Sequence, residues 1–152
     1  MTHGGPYFQH DHIGRGLALG DLNNDGRPDL VVSHLNEPVT ILRNIQNVKN
    51  HWLGVALEAK EHADVVGARL VLQVGTKKLT MFAKGGGSYL SSPDRRILFG
   101  LGDSRKVGRL TVYWPAGEPR KQTWSHLKVD RYHRLVQGEK EARPFPRLKQ
   151  LH

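Results

Sequence analysis

Apolar residues in this chain fall in short runs of period two, separated by Gly, Asn, Asp or Pro. "LVVS" (30–33) and "VTILRN" (39–44) flank "HLNEP" and predict a tight hairpin. In "WLGVALEA" (52–59), Leu53, Val55 and Leu57 alternate with smaller residues. In "ARLVLQVG" (68–75), Leu70, Leu72 and Val74 alternate with Arg69, Val71 and Gln73, and "KKLTMFAK" (77–84) follows a Gly-Thr turn, so these two runs predict a second hairpin. "RILFGLG" (96–102), "GRLTVYWP" (108–115), "KQTWS" (121–125) and "RYHRLVQG" (131–138) complete the set. No segment carries a helical stripe over three turns. The pattern predicts an all-β chain: a strand-loop-strand hairpin followed by an antiparallel β-sandwich.

The alternation also assigns a core. Phe99, Leu101, Leu110, Val112 and Trp114 sit at alternate positions of two runs, and Trp52 and Trp124 are expected to pack rather than to stack on a ligand. In "WPAGEPRK" a turn is expected at Pro115, Ala116 and Gly117, with Gly117 at positive φ. The polar stretch "NIQNVKNH" (44–51) interrupts the pattern and marks a boundary between an N-terminal β piece (1–46) and a larger β domain (50–138). The charged tail (139–152) holds two prolines and is expected to order only where it docks.

Composition narrows the chemistry. With 152 residues, 38% of them hydrophobic, the chain can build a core without a metal or a disulfide. It has no cysteine, which excludes thiolate metal sites and cysteine nucleophiles. No apolar run approaches the roughly 20 residues of a membrane helix, and the N-terminus shows no apolar signal segment. The formal charge of +9 suggests a basic polyanion-binding module that contacts nucleic acid, an acidic lipid face or an acidic polysaccharide, set against a simply solvated surface. Lys77-Lys78, Arg95-Arg96, Arg105-Lys106 and Arg120-Lys121 lie near expected turns and would form a basic rim.

Catalytic signatures are weak. The dense histidine cluster His10-Asp11-His12, with His3 nearby, lacks further zinc ligands at a convincing spacing, and His51 is expected to hydrogen-bond where its strand begins. Ser88, Ser91 and Ser92 lack a nucleophile elbow. "GGGSYLSSPDRRILFGLG" lacks a Walker ending and reads as a glycine-rich crossing at 85–87, with the Tyr89 ring packed and Asp94 accepting from Arg95 or Arg96. No catalytic and no organic cofactor-binding residue is assigned. An unrecognised enzyme centre near Ser88 and Tyr89 is the remaining enzymatic alternative.

The strongest motif is "GDLNNDGRPDL" (20–30). Calcium takes about six to eight oxygens from carboxylates, amides and carbonyls. Asp21, Asn23 and Asp25 alternate, Gly26 permits a sharp turn, the Arg27 carbonyl lies on the inner side with its guanidinium expected outward, and Asp29 closes the ring. Val32 stands where an EF-hand would carry its bidentate Glu, and the flanks read as strands. The alternative is a metal-free turn in which Asn and Asp bond their own backbone. Three converging carboxylates would repel one another without a cation, which favours calcium.

These residues resemble a known pattern. "GRGLALGDLNNDGRPDLVVSHLNEPVTILRN" is similar to the last FG-GAP, or integrin-α-like, repeat of a β-propeller, whose D-x-N-x-D-G-x-x-D loop carries calcium. "NHWLGVAL", "VGARLVLQVG", "GGGSYLSSPDRRILFGLG" and "VGRLTVYWPAGEPRKQTW" resemble, in order, the ASPIC/UnbV domain of cartilage-acidic-protein-like proteins. The family's "SNRDAIGARV" is replaced by "HADVVGARL", so no role is carried to that region. The resemblance implies a non-enzymatic, calcium-binding interaction or scaffolding module. It further implies an extracellular or cell-surface location and partners among proteins, glycans or upstream propeller blades. It also leads us to expect either a C-terminal part of a longer protein or a shortened family member, since one repeat cannot close a propeller.

Overall fold

The computed structural model describes residues 5–145. His3 and residues 146–152 of the tail lie outside them. The described residues are all-β, with two short 3₁₀ turns among them at Pro6–Gln9 and Lys60–His62.

Strands β1 (Gly14–Gly20), β2 (Asp29–His34) and β3 (Thr40–Leu42) form an antiparallel sheet in the order β1-β2-β3. The β2–β3 hairpin crosses the "HLNEP" turn as its sequence predicts. The remaining strands make two further sheets. One has the order β11-β10-β4-β7, from β4 (His51–Glu58), β7 (Ile97–Gly102), β10 (Tyr132–Val136) and β11 (Arg143–Pro144). The other has the order β6-β5-β8-β9, from β5 (Arg69–Val74), β6 (Lys77–Phe82), β8 (Leu110–Tyr113) and β9 (Lys121–Trp124).

Period-two alternation gives each of these two sheets one apolar face, and the two faces share a single core. Leu53, Val55, Ile97, Phe99, Leu101 and Leu135 from one sheet join Leu70, Leu72, Leu110, Val112 and Trp124 from the other. Each fully buried side chain of this kind contributes about 1.5–3 kcal/mol relative to exposure. Trp114 and Trp124 meet edge-to-face at 6.4 Å within the same core. Gly117 adopts a φ of 73°, as its turn requires.

The sandwich departs from the antiparallel expectation at one pairing: β10 runs parallel to β4, with Tyr132 opposite Gly54 and Val136 opposite Glu58. The chain leaves β9 at the edge of one sheet and enters the other beside β4 through residues 125–131, which sets the direction. Gly54 makes this possible, because a Cβ there would lie 2.1 Å from the Tyr132 ring. The tail also contributes structure: β11 pairs with β10 through His133–Pro144 and Arg134–Arg143.

Candidate calcium loop and the junction around it

The loop of residues 21–29 joins β1 to β2, and the strand register sets Gly20 opposite Asp29. Asp21 and Asp29 are therefore neighbours, and both are buried, at 3% and 2% exposure. Burying a carboxylate is costly unless it is hydrogen-bonded. Asp21 accepts the N–H groups of Asp25 at 3.0 Å and Gly26 at 2.7 Å. Asp29 accepts those of Leu22 at 3.1 Å and Asn44 at 2.8 Å. Four backbone donors thus curl the loop around two carboxylates. Gly26, at φ 83°, is needed twice over: a Cβ there would sit 2.3 Å from the Trp52 ring.

Asp25 accepts the Arg27 N–H at 2.9 Å, and its other oxygen faces the Asn23 amide at 2.7 Å and the Arg27 guanidinium. The expectation that the Arg27 side chain points outward is corrected here. Its guanidinium folds back onto Asp25, and its Nε donates to the Asn44 carbonyl at 3.2 Å. A cation from the chain itself reaches the half-buried carboxylate that sequence reasoning left bare.

The loop is fastened from the other side by two residues that sequence reasoning missed. The Tyr132 hydroxyl donates to Asp21 at 2.8 Å in a buried contact. Burial, and then the neighbouring Asp21 carboxylate, holds this phenol well above the usual tyrosine range. Arg96 donates to Asp94 through Nε at 2.7 Å, to the Asp21 carbonyl at 2.6 Å and to the Asn24 side chain. Its guanidinium also stacks over the Tyr132 ring at 4.2 Å. Burial pulls the Arg96 pKa down, but the hydrogen bond and charge of Asp94, with Tyr132 and Asp21 beyond, more than offset this and raise it. Nothing in the local pattern separates Arg96 from Arg95, which pairs with exposed Asp64 at 3.2 Å. Only the assembled fold distinguishes them.

In kind, the loop's donor set fits calcium: three carboxylates, an amide that can present its oxygen, and a carbonyl, all hard oxygens. Asp21 Oδ1 and both Asp29 oxygens accept one N–H each and keep a second lone pair, whereas Asp21 Oδ2 accepts from both Gly26 and Tyr132. In arrangement, however, no three acidic or imidazole groups converge on a common point among the described residues.

Residues 58–142 match the family described as ASPIC and UnbV. The chain belongs to that family. Residues 13–34 match the FG-GAP repeat. The chain is 34% identical to cartilage acidic protein 1 of Xenopus tropicalis over 120 residues, which is 75% of this chain and 18% of that protein. It is 32% identical to cartilage acidic protein 1 of Homo sapiens and of Mus musculus, with the same coverage. The chain therefore spans about a fifth of the length of the curated relatives it matches, 18% in each case.

The glycine-rich segment of the ASPIC/UnbV part lies between β6 and β7 and reaches the FG-GAP sheet. Ser91 donates to the Leu17 carbonyl at 2.9 Å, and the Asp94 N–H donates to the Leu19 carbonyl at 2.8 Å, so residues 91–94 cover the outer edge of β1. Gly16 and Gly20 leave room for this contact: a Cβ at Gly16 would lie 3.1 Å from the Tyr89 carbonyl, and one at Gly20 3.2 Å from Asp94. Tyr89 itself is not packed, contrary to expectation. It stands 67% exposed at the tip of the turn closed by the Ser88–Ser91 bridge, where the chain runs over the surface. Asp94 does accept from Arg96, as one of the two expected donors.

His12 of the expected cluster, with His34 and His51, is held by hydrogen bonds. His12 Nδ1 lies 2.7 Å from Glu37 and Nε2 3.1 Å from the Tyr7 carbonyl, so the protonated ring donates to both. His34 donates through Nδ1 to the Pro38 carbonyl, which leaves Nε2 to accept from the Tyr7 hydroxyl at 2.8 Å. His51 bonds Asp130 at 2.7 Å where β4 begins. The basic pairs are not equivalent charges. Arg95 is paired, Arg96 is held in the junction, and Arg120 donates to the Pro115 carbonyl at 2.6 Å, whereas Lys77 and Lys78 are exposed on β6.

Proposed function

We propose that this chain is a non-enzymatic, calcium-binding interaction or scaffolding module of an exported or cell-surface protein. In this reading the FG-GAP loop fastens a blade fragment to an ASPIC/UnbV sandwich. The single observation that carries the proposal is the buried Tyr132–Asp21 hydrogen bond at 2.8 Å. The first carboxylate of the loop belongs at once to the FG-GAP hairpin and to the second domain's contacts. Asp21, Asn23, Asp25 and Asp29 would hold calcium through side chains, and Arg27 through its carbonyl. When bound, the ion would offset the charge of the loop's carboxylates and cross-link the loop. The chain's own residues do the rest: Tyr132 and Arg96 orient Asp21, and Trp52 covers Gly26.

The partner of the FG-GAP sheet is a further blade. Register places Leu17, Val32 and Thr40, and next to them Leu19, Leu30 and Leu42, on one face of β1–β3. Leu17 and Leu19 are 43% and 50% exposed there. An apolar sheet face on one repeat suits stacking against another repeat, and much of the length of the curated relatives lies beyond the matched region.

Thermal unfolding with calcium and with chelator tests the calcium reading. Calcium is expected to raise the melting temperature of the full chain, and Asp25→Ala to reproduce the chelated state. Identical melts in both conditions, with no binding by calorimetry, would remove calcium from the proposal.

A further inference from the structure

A second site lies between edge strand β9 and the β10–β11 pair. The cleft there has a volume of about 710 Å³, within the range of about 300–1,000 Å³ typical of ligand sites. Its lining is layered. Trp124, Leu127 and His133 are buried at 2%, 7% and 9% exposure, and Lys128, Arg131 and Lys140 are exposed around them. Among the described residues none of these three cations has a carboxylate within ion-pair distance. One acidic residue, Glu141, lines the cleft against them. Exposed Ser125 and His126 add further hydrogen-bonding groups. His133 is not a source of charge. Burial lowers its pKa, and its Nε2 already donates to the Lys128 carbonyl at 2.8 Å.

We propose that this cleft binds an acidic oligosaccharide, its carboxylate or sulfate groups met by Lys128, Arg131 and Lys140 and its hydroxyls by Ser125 and His126. Concentrated cations over a low-dielectric floor attract anions more strongly than the same charges scattered on a surface. The lining also separates classes of polyanion. Single-stranded nucleic acid is held by aromatic side chains presented for stacking. The one aromatic side chain in this lining, Trp124, is 2% exposed and committed to the core. A hydroxyl-rich, flexible, charged ligand needs no such platform. None of the calcium-loop residues lines this cleft.

The test uses the full chain and isothermal titration calorimetry with two probes of equal length, a sulfated glycosaminoglycan octasaccharide and an oligogalacturonate. Binding of both assigns the carboxylate as sufficient; binding of the sulfated probe alone assigns sulfate. Lys128→Gln/Arg131→Gln/Lys140→Gln should weaken binding by about tenfold or more and flatten the salt dependence by about two charges. Lys77→Gln/Lys78→Gln, which removes exposed charge elsewhere, should change it by less than about twofold. All the substituted side chains are exposed, and matching melting temperatures will confirm an intact fold. The proposal is overturned if neither probe binds, if the two variants lose affinity equally, or if a single-stranded DNA dodecamer or a polyglutamate peptide binds this cleft more tightly than either sugar.

Discussion

The FG-GAP sheet and the sandwich are built from the same period-two pattern but held by different physics. The sandwich encloses a continuous apolar core, in which Leu53, Leu70, Leu72, Leu110 and Leu135 have no exposure. The FG-GAP sheet contributes no side chain to that core. Its most buried side chains are the carboxylates Asp21 and Asp29, and its apolar face is half open. A strand pattern therefore says which face is apolar, not whether anything covers it. The small sheet is placed by polar contacts instead: Arg96, Tyr132, Asp94 and Ser91 reach it from the sandwich side.

The largest effect that separates the two regions should come from the core. Phe99 is 2% exposed at the centre of β7, and Phe99→Ala should cost about 3–5 kcal/mol by leaving a cavity. Urea unfolding should show one transition at much lower midpoint, with both regions lost together. If the FG-GAP sheet kept its hydrogen-exchange protection after the sandwich had unfolded, the dependence drawn here would be wrong.

Arg96→Met should cost less, about 2 kcal/mol, and should act locally. It keeps much of the aliphatic length but removes the donors to Asp21, Asn24 and Asp94. Amide exchange in residues 21–29 should accelerate, while β5 and β8 keep their wild-type rates. Uniform acceleration across the chain would show that Arg96 supports the sandwich rather than the junction.

Much of this architecture was legible in the residues. Leu70 and Leu72 on one strand, and Leu110 and Val112 on its partner, announce their inward faces by spacing alone. The β5–β6 hairpin follows from its two-residue turn. What was not legible depends on long reach or distant pairing. The β10–β4 pairing joins segments about 80 positions apart, Tyr132 to Gly54, and alternation is the same for parallel and antiparallel neighbours. The inward turn of Arg27 depends on the Asn44 carbonyl being near, which only β3 and the chain after it arrange. Arg96 and Tyr132 looked like ordinary strand residues because the loop they hold lies 75 and 111 positions away. The oxygen-rich loop itself was plain, since five donor positions fall within nine residues; the donors that occupy its carboxylates were not.

Arg27 gives a smaller and more pointed test of the loop. Its guanidinium competes with any external cation for Asp25, and both side chains are partly exposed. A pair of this kind is worth about 0–1 kcal/mol, so Arg27→Gln should tighten calcium binding by a few-fold, about the equivalent of that energy. The carbonyl expected to face the ion is kept. Calorimetry that finds weaker binding would mean that the guanidinium supports the calcium-bound loop rather than opposing it.

Acidification offers the mildest comparison, because the two regions should answer it with opposite signs. In the sandwich, burial lowers the pKa of His133 below 6.5, reinforced by nearby Arg131 and opposed by the bond to Lys128. The unfolded chain then takes up a proton more readily than the folded one. Its contribution is present above the ordinary value and drains away as pH falls from there through the lowered folded value. In the N-terminal piece, the hydrogen bond to Glu37, opposed by desolvation, raises the pKa of His12. That contribution is complete below 6.5 and is lost as pH rises through the raised value. Glu37, its pKa lowered by the same bond, keeps its share until pH falls through the lowered carboxylate value. Between about pH 7.5 and 5.5, exchange protection should therefore fall along β10 and hold or rise around Tyr7, His12 and Glu37. His133→Gln should remove the first trend and leave the second. Parallel changes in both regions would mean that one shared transition, and not two local ionisations, governs the response to acid.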